Sequence, residues 1–402
     1  MVMIANQRDY LQNLASLVSA EDWDAAHDAA KLLSAREDHA ECEELQQKEA
    51  NALALRRELD VPFDGLVALH MRVLYYMSVG SYEDAYKTHT QLVQVFIKEV
   101  LQRRKDENWF LPICFRLCSD LRLLAKAADL KPSRTRPPEQ SSYYEQSASG
   151  IMDRASVDQS KKVAILNLTN QLFRIYFRIN KLNLLKPLIR AIENSGTLYQ
   201  MFSMSEKVTY KYYIGRKAMF DSDLTTAEQA LSYAFRNCPS DCARNKRLIL
   251  MYLIPVKMFL GHMPSERLLE MYNLMQFSDV ARSVREGNLL RLDKTLADHE
   301  HFFIACGIFL MLEKVRIITY RTLFKKVAKI LGTHQVPLEA FLISLRFLNV
   351  DDVDADEVAC IVANLIYQGK IKGYISHQHQ KLVISKQNPF PALSSVSSAV
   401  AT

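Results

Sequence analysis

The stretch from Tyr320 to Pro391 limits the fold more than any other part of the chain, because it spells three helices and then a strand hairpin, in that order. Tyr320–Leu331 (YRTLFKKVAKIL) carries Leu323, Phe324, Val327 and Leu331 at helical spacing, which makes one apolar face. Pro337–Phe347 (PLEAFLISLRF) reads as a second helix, with Pro337 at the first position, where its missing N–H is not needed. Asp354 and Glu357 stand as a capping box at the head of a third helix, Asp354–Tyr367. Val358, Ile361, Val362, Leu365 and Ile366 form its apolar stripe, and Gly369 stops it. Lys370–Ser376 and Lys381–Ser385 read as two short β-branched strands around the turn His377–Gln380. Together these elements describe a winged helix, a module expected to dock proteins and nucleic acid rather than to enclose a small substrate.

Upstream, the periodicity is helical throughout. Residues 1–130 hold Trp23–Leu33, Gly65–Ser78, Tyr82–Leu101 and Trp109–Ala128, each with apolar residues three and four apart. The segment 131–160 begins KPSRTRPPEQSSYYEQSASG, rich in proline and serine and without periodicity, and is expected to be a flexible loop. Helices resume over 161–316: Lys161–Ile179, Leu184–Glu193, Glu206–Phe220, Thr225–Asn237, Arg244–Leu260, Ser265–Tyr272, Leu289–His299 and His301–Val315. The winged helix occupies 317–391 and a disordered tail 392–402. Trp23/Ala26, Tyr82/Ala85 and Leu224/Ala227 repeat a large-then-small pair at helix starts, which lets the second helix of a hairpin lie close on the first. The expected fold is an all-α, tetratricopeptide-like solenoid ending in a winged helix with a small β-hairpin.

Composition narrows the function classes. The chain has 402 residues, of which 49% are hydrophobic and 24% charged, enough for a large core. Its longest apolar run, Phe302–Leu312, is well short of the roughly 20 residues of a membrane span and reads as a buried helix. The start, MVMIANQRDYLQNL, lacks the basic flank and apolar block of a signal peptide, so a cytosolic or nuclear location is expected. Seven scattered cysteines are expected as reduced thiols. The pairs Cys114/Cys118 and Cys238/Cys242 lack zinc-module spacing. The net charge of +6 permits an acidic partner without requiring one.

Four strings carry a more specific signal: NQLFRIYFRINKLNLLKPLIRAIE (Asn170–Glu193), VTYKYYIGRKAMFDSD (Val208–Asp223), NKRLILMYLIPVKMFLGHMP (Asn245–Pro264) and IKGYISHQHQKLVISKQNPFP (Ile371–Pro391). With the layout of helical repeats and a terminal winged helix, they closely resemble the PCI-domain family, in the branch that serves messenger-RNA export at the nuclear pore. The resemblance implies a non-catalytic subunit, nuclear and pore-associated and also cytoplasmic, that needs no cofactor. It implies pairing with a larger PCI-domain export scaffold and with a small acidic subunit shared with the proteasome lid. It further implies that paired winged helices hold RNA or DNA. A related branch is tied to the signalosome and to splicing, and in that alternative the chain has no nucleic-acid role of its own.

The residues suggest where such contacts lie. Over Arg316–Lys386 the basic residues (Arg316, Arg321, Lys325, Lys326, Lys329, Arg346, Lys370, Lys372, Lys381 and Lys386) exceed the acidic ones. Lys325, Lys326, Lys329, Lys370, Lys372, Lys381 and Lys386 are the candidates for tracking phosphates, with Tyr374, His377 and His379 available for stacking or hydrogen bonding. The third helix offers Asp356, Glu357, Asn364 and Gln368 but no arginine, which argues against reading of base edges. Tyr374, Val383, Ile384 and Phe390 are candidates for an apolar partner patch; Val383 and Ile384, being adjacent on a strand, point to opposite faces. A fold-back of Gln387–Pro391 would cover that patch. In the helical body, Lys211, Arg216, Lys217, Arg244, Lys246 and Arg247, with Lys207, form a second basic group for an acidic partner, or an ordinary helix surface. Enzymatic readings fare poorly. His377-Gln378-His379 lacks the downstream serine and aspartate of a metal isopeptidase, and Asp351–Asp354 lacks the glycine and glutamate of a calcium loop, so no metal is expected.

Overall fold

The computed structural model describes residues 6–104, 106–130, 142–152, 159–350 and 353–396. The chain divides into two compact units, one ending at Tyr210 and the other beginning at Lys211.

In the first unit, Gln7–Ser19 and Trp23–Leu32 form a helical hairpin, as do Phe63–Ser78 and Tyr82–Val95. Asp22 caps the second helix by accepting from the N–H groups of Asp24 and Ala25. Ala26 and Ala85 are fully buried, which supports the close helix approach expected from the large-then-small pairs. Tyr82–Val95 continues as a π-helical segment, Phe96–Leu101. The buried Lys161 Nζ donates to the carbonyls of Leu101 (2.6 Å) and Arg104 (2.7 Å) just beyond it. Leu111–Leu130 packs on these helices. Its buried Asp120 accepts from Ser34 Oγ, Ala35 N and Arg36 Nε, tying it to the end of the first hairpin.

The expected loop is partly helical. Residues 131–141 and 153–158 lie outside the described residues, but Tyr143–Met152 is an α-helix. Ser142 caps it, its Oγ accepting from Glu145 N (3.1 Å), and a remote carboxylate adds to the cap: Asp129 accepts from the N–H groups of Tyr143 (3.0 Å) and Tyr144 (2.9 Å). Both tyrosines are buried, Tyr143 against Tyr86 with ring centroids 5.1 Å apart. Ile165–Arg178 and Leu185–Glu193 follow.

The second unit holds Leu224–Asn237 paired with Ala243–Phe259, then Glu266–Met271, Ser278–Glu286 and Leu289–Asp298. Asp223 caps the first of these through Thr226 N, and Ala227 is fully buried. Gly215 lets its own helix, Met204–Phe220, close on Leu231: a Cβ there would stand 2.5 Å from Leu231 Cγ. Ser278–Glu286 is a helix the sequence reading passed over, because its buried face is built from the small Val280, Ala281, Ser283 and Val284. It ends at Gly287 (φ 71°), where a Cβ would meet the backbone N of Leu323 at 2.6 Å. The expected helix His301–Val315 is two short ones, Glu300–Cys306 and Phe309–Lys314, broken at Gly307 (φ 70°). The apolar run there is only half interior: Phe303, Ile308 and Leu312 are buried, Ile304 and Leu310 exposed.

The winged helix closes the unit. Its first helix runs Arg316–Leu331 and stops at Gly332 (φ 62°); its second runs Leu338–Phe347 and its third Ala355–Tyr367. The capping box forms as expected, with Glu357 N donating to Asp354 Oδ1 at 2.8 Å. Three strands, Gln335–Pro337 (β1), Gly373–Ser376 (β2) and Lys381–Ile384 (β3), make an antiparallel sheet in the order β1-β3-β2. Two corrections follow. The hairpin has a third strand, and Pro337 ends that strand and sits at the helix cap rather than inside the helix. The core packs Phe324 on Phe341 (centroids 4.3 Å apart) with Val336, Leu345, Val358, Val362, Leu365, Leu382 and Ile384. Leu331, expected on the apolar face, is exposed. At the tail, Leu393–Val396 forms one helical turn, and residues 397–402 lie outside the described residues.

Candidate interaction surface on the winged helix

Strand alternation decides which residues share a face. Leu382 and Ile384 point into the core. The residues between and beyond them therefore point out. Tyr374 is opposite Val383, Ser376 opposite Lys381, and Gln335 and Pro337 flank Val383 and Lys381 from β1. Ser385 N donates to Lys372 O at 2.8 Å, which extends the same register by one pair. The outer face thus brings together Lys372, Tyr374, Lys381 and Val383, with Tyr374 63% exposed. Gly373 is required for this geometry, because a Cβ would lie 2.3 Å from Val383 O. An aromatic ring between two lysines on an open sheet offers a stacking surface with flanking charge for phosphates.

The other candidates are not all on that face. Ile384 is 7% exposed and belongs to the core, so it is no partner residue. Phe390 is half-buried on that core, because the tail folds back: Lys372 N donates to Pro389 O (2.8 Å) and Arg321 Nη2 to Pro391 O (2.6 Å). Lys386 is exposed just past β3. Lys325, Lys326 and Lys329 are exposed on the first helix, a separate element. Lys326 Nζ donates to Glu286 O (2.7 Å), at the carbonyl end of Ser278–Glu286, where a cation suits the helix dipole. Arg321, counted above among the basic residues, is interior at 7% exposure. Its Nε donates to Lys370 O, and burial holds its pKa below the usual arginine range. Lys370 is half-buried, with Nζ 2.6 Å from Gln368 Oε1.

On the third helix Asp356, Glu357 and Asn364 are exposed and Gln368 is half-buried, so its solvent-facing side carries acids and amides. Asn364 and Gln368 line a groove of about 640 Å³ whose other walls include Leu224, Phe259, Ile317, Tyr320 and Leu393. The exposed acids and the lack of arginine argue against insertion into a DNA groove. Asp351 and Asp352 lie outside the described residues.

The basic group of the helical body is largely occupied internally. The Arg216 guanidinium sits 4.4 Å from the Tyr252 ring centroid and 5.5 Å from that of Tyr212. Lys217 pairs with Asp221, Lys246 lies over Phe235 at 5.1 Å, and Lys211 over Tyr233 at 6.0 Å. Arg247 donates to the carbonyls of Tyr272 and Asn273; Arg244 is exposed. Lys207 donates to Gln200 O. These contacts make the group a poor match to a free docking patch. Among the described residues no three His, Cys, Asp or Glu side chains are placed to hold a metal ion.

Sequence reasoning missed the exposed apolar residues of the helices. Ile343 and Phe347, four apart on the second helix, are 58% and 85% exposed, and Tyr367 is 87% exposed. The signal was available, since both fall off the Leu338, Phe341, Leu342, Leu345 stripe.

Comparison with known proteins agrees with this geometry. A profile described as the PCI domain matches residues 296–386. A PCI domain-containing protein 2 homolog of Caenorhabditis elegans is 54% identical over 99% of this chain and all of its own length. PCI domain-containing protein 2 of Danio rerio is 51% identical over 96% of this chain and 98% of its own. A homolog of that protein in Drosophila melanogaster is 45% identical over 98% of this chain and all of its own. With identity at this level over nearly the full length of both partners, the chain belongs to the PCI domain-containing protein 2 family.

Proposed function

We propose that this chain is a non-catalytic scaffold subunit of a nuclear messenger-RNA export complex, associated with the nuclear pore and present in the cytoplasm as well. Its winged helix pairs with that of a larger PCI-domain scaffold, and a small acidic subunit completes the assembly. The helical repeats position the winged helix. The exposed Ile343 and Phe347 supply apolar area for pairing, since large exposed apolar side chains mark partner surfaces. The outer face of the sheet holds RNA or DNA by its phosphates. The observation that carries the nucleic-acid part is Tyr374 standing between Lys372 and Lys381 on one open face.

Two measurements test this reading. Affinity purification of the tagged chain from nuclear extract is expected to recover the larger scaffold and the acidic subunit. Recovery of signalosome or splicing proteins in their place would keep the fold and overturn the export assignment. In the reconstituted complex, single-stranded RNA binding is expected to weaken steeply with salt, because phosphate contacts release counterions. Salt-insensitive binding would rule out the phosphate mechanism.

A further inference from the structure

The outer face of the sheet has a further member to which the nucleic-acid reading gives no task. Gln335 of β1 and Tyr374 of β2 are both in register with Val383 of β3. The three residues therefore form one row across the sheet. With neighbouring strands about 4.8 Å apart, Gln335 and Tyr374 stand roughly 10 Å from each other. Val336 is fully buried, so alternation turns the exposed Gln335 outward. Its backbone N–H donates to Thr333 Oγ1 (3.2 Å), whereas its side-chain amide enters no hydrogen bond among the described residues. Val383, between the amide and the ring, is short and half-buried. Lys381 lies in the next row on one side, and Lys372 in the next row on the other. The row thus runs from an open aromatic ring to an open amide, with a cation to either side for phosphates.

We propose that Gln335 is a specificity-determining residue, which reads the edge of the base stacked on Tyr374 and selects adenine. The inference rests on the reading that this face holds single-stranded RNA. A base laid on the Tyr374 ring and extending over Val383 brings its far edge toward Gln335. A pyrimidine covers the ring but ends short of the amide, and the fused second ring of a purine closes the gap. The glutamine amide presents an acceptor, Oε1, beside a donor, Nε2. Adenine carries the complement on one edge: its N6 amine donates to Oε1 while N7 accepts from Nε2. Guanine offers two acceptors on that edge, O6 and N7, so Oε1 would face an oxygen, and cytosine and uracil have no N7 at all. The absence of arginine on the third helix bears on duplex grooves only, because the edges of an unpaired base are open to a sheet.

The test measures the affinity of the full chain, in the reconstituted complex, for oligouridine strands of one length that carry a single adenine, 7-deazaadenine or uracil at the centre. 7-Deazaadenine keeps the shape and the N6 amine of adenine and lacks only the N7 acceptor. The adenine strand is expected to bind roughly fivefold to tenfold tighter than the other two, the low end of what one bidentate contact supplies. Gln335→Ala is expected to remove that difference and to leave the all-uridine affinity unchanged, which also reports that the variant is folded. Equal binding of adenine and 7-deazaadenine by the wild type would overturn the proposal. So would a preference for adenine that survives Gln335→Ala. Tyr374→Ala separates this failure from a failure of the underlying reading. Binding that needs Tyr374 but ignores N7 would sink the role of Gln335 alone, whereas absent RNA binding, or binding indifferent to Tyr374, would sink both.

Discussion

Two regions of the second unit set basic residues beside aromatic rings in opposite surroundings. In the helical body, Arg216 lies among Tyr212, Tyr213 and Tyr252. On the wing, Lys372 and Lys381 flank Tyr374. In sequence the wing group reads as a candidate phosphate-tracking surface, and the body group as a dock for an acidic partner or an ordinary helix surface. In the body the aromatic rings come from two helices and close on the cation, so the charge is satisfied internally. On the wing the ring and the cations stand on the outer side of a single sheet, with Tyr374 63% exposed. Whether the rings converge from several elements or share one face decides whether such a cluster is satisfied internally or left open to solvent.

The sharpest way to break this comparison is to treat an interior cation as if it were a surface one. Arg321→Ala removes two charge-assisted bonds to the carbonyls of Lys370 and Pro391. At about 1.5–3 kcal/mol per such bond, a loss of roughly 4 kcal/mol is expected, read as a lowered urea midpoint. A midpoint unchanged from wild type would show that Arg321 behaves as a surface residue.

Acid tests the same principle in the first unit. His39 and His70 face each other with Nε2 atoms 3.3 Å apart, both buried, and the His39 ring stacks on Tyr10. Burial lowers the His39 pKa from 6.5 to about 4 and pushes His70 well down too, with the neighbouring histidines adding to it. Between those values the unfolded chain binds more protons than the folded one. Stability is therefore intact above about pH 6.5 and declines as pH falls toward 4, by about 3 kcal/mol for a shift of this size. Urea midpoints followed from pH 7 to pH 4 measure the slope. His39→Phe keeps a ring against Tyr10, removes one titrating group, and is expected to flatten the curve.

The winged helix was legible because its signals are local: a capping box three residues apart, a stripe at helical period, a turn between two short strands. What escaped the sequence depends on distant residues. The Tyr143–Met152 helix has Ser142 as a local cap, but its first two N–H groups are held by Asp129, across a segment of proline and serine. β1 is three residues long and exists only because β3 pairs with it. Val383 and Ile384 could be assigned to opposite faces from alternation alone, but which one faces inward required the core. The basic tally failed for a related reason, since Arg321 is as polar in sequence as Lys325 and only packing distinguishes them.

Arg216→Ala sharpens the comparison from the body's side. Loss of a cation held among three tyrosine rings is expected to lower stability by about 2 kcal/mol. RNA affinity of the folded variant should not change. A loss of binding without a loss of stability would move Arg216 back to the surface group.

The smallest effect belongs to the wing, and it separates function from folding most cleanly. Lys372→Glu together with Lys381→Glu changes two side chains on the outer face of the sheet, opposite the core-facing Leu382 and Ile384. Unfolding should stay within about 0.5 kcal/mol of wild type, as for surface substitutions away from special features. Single-stranded RNA affinity of the reconstituted complex should fall roughly tenfold at moderate salt, and the slope against salt should become shallower, because two phosphate contacts are lost. Tyr374→Ala should weaken binding by a comparable amount and leave the salt slope alone, since base stacking contributes about 1–3 kcal/mol and releases no counterions. The two variants therefore resolve the face into its charge and its ring. If the lysine pair changes neither affinity nor slope, the wing is a solvated surface like any other, and the phosphate contacts must be sought on Lys325 and Lys329 of the first helix.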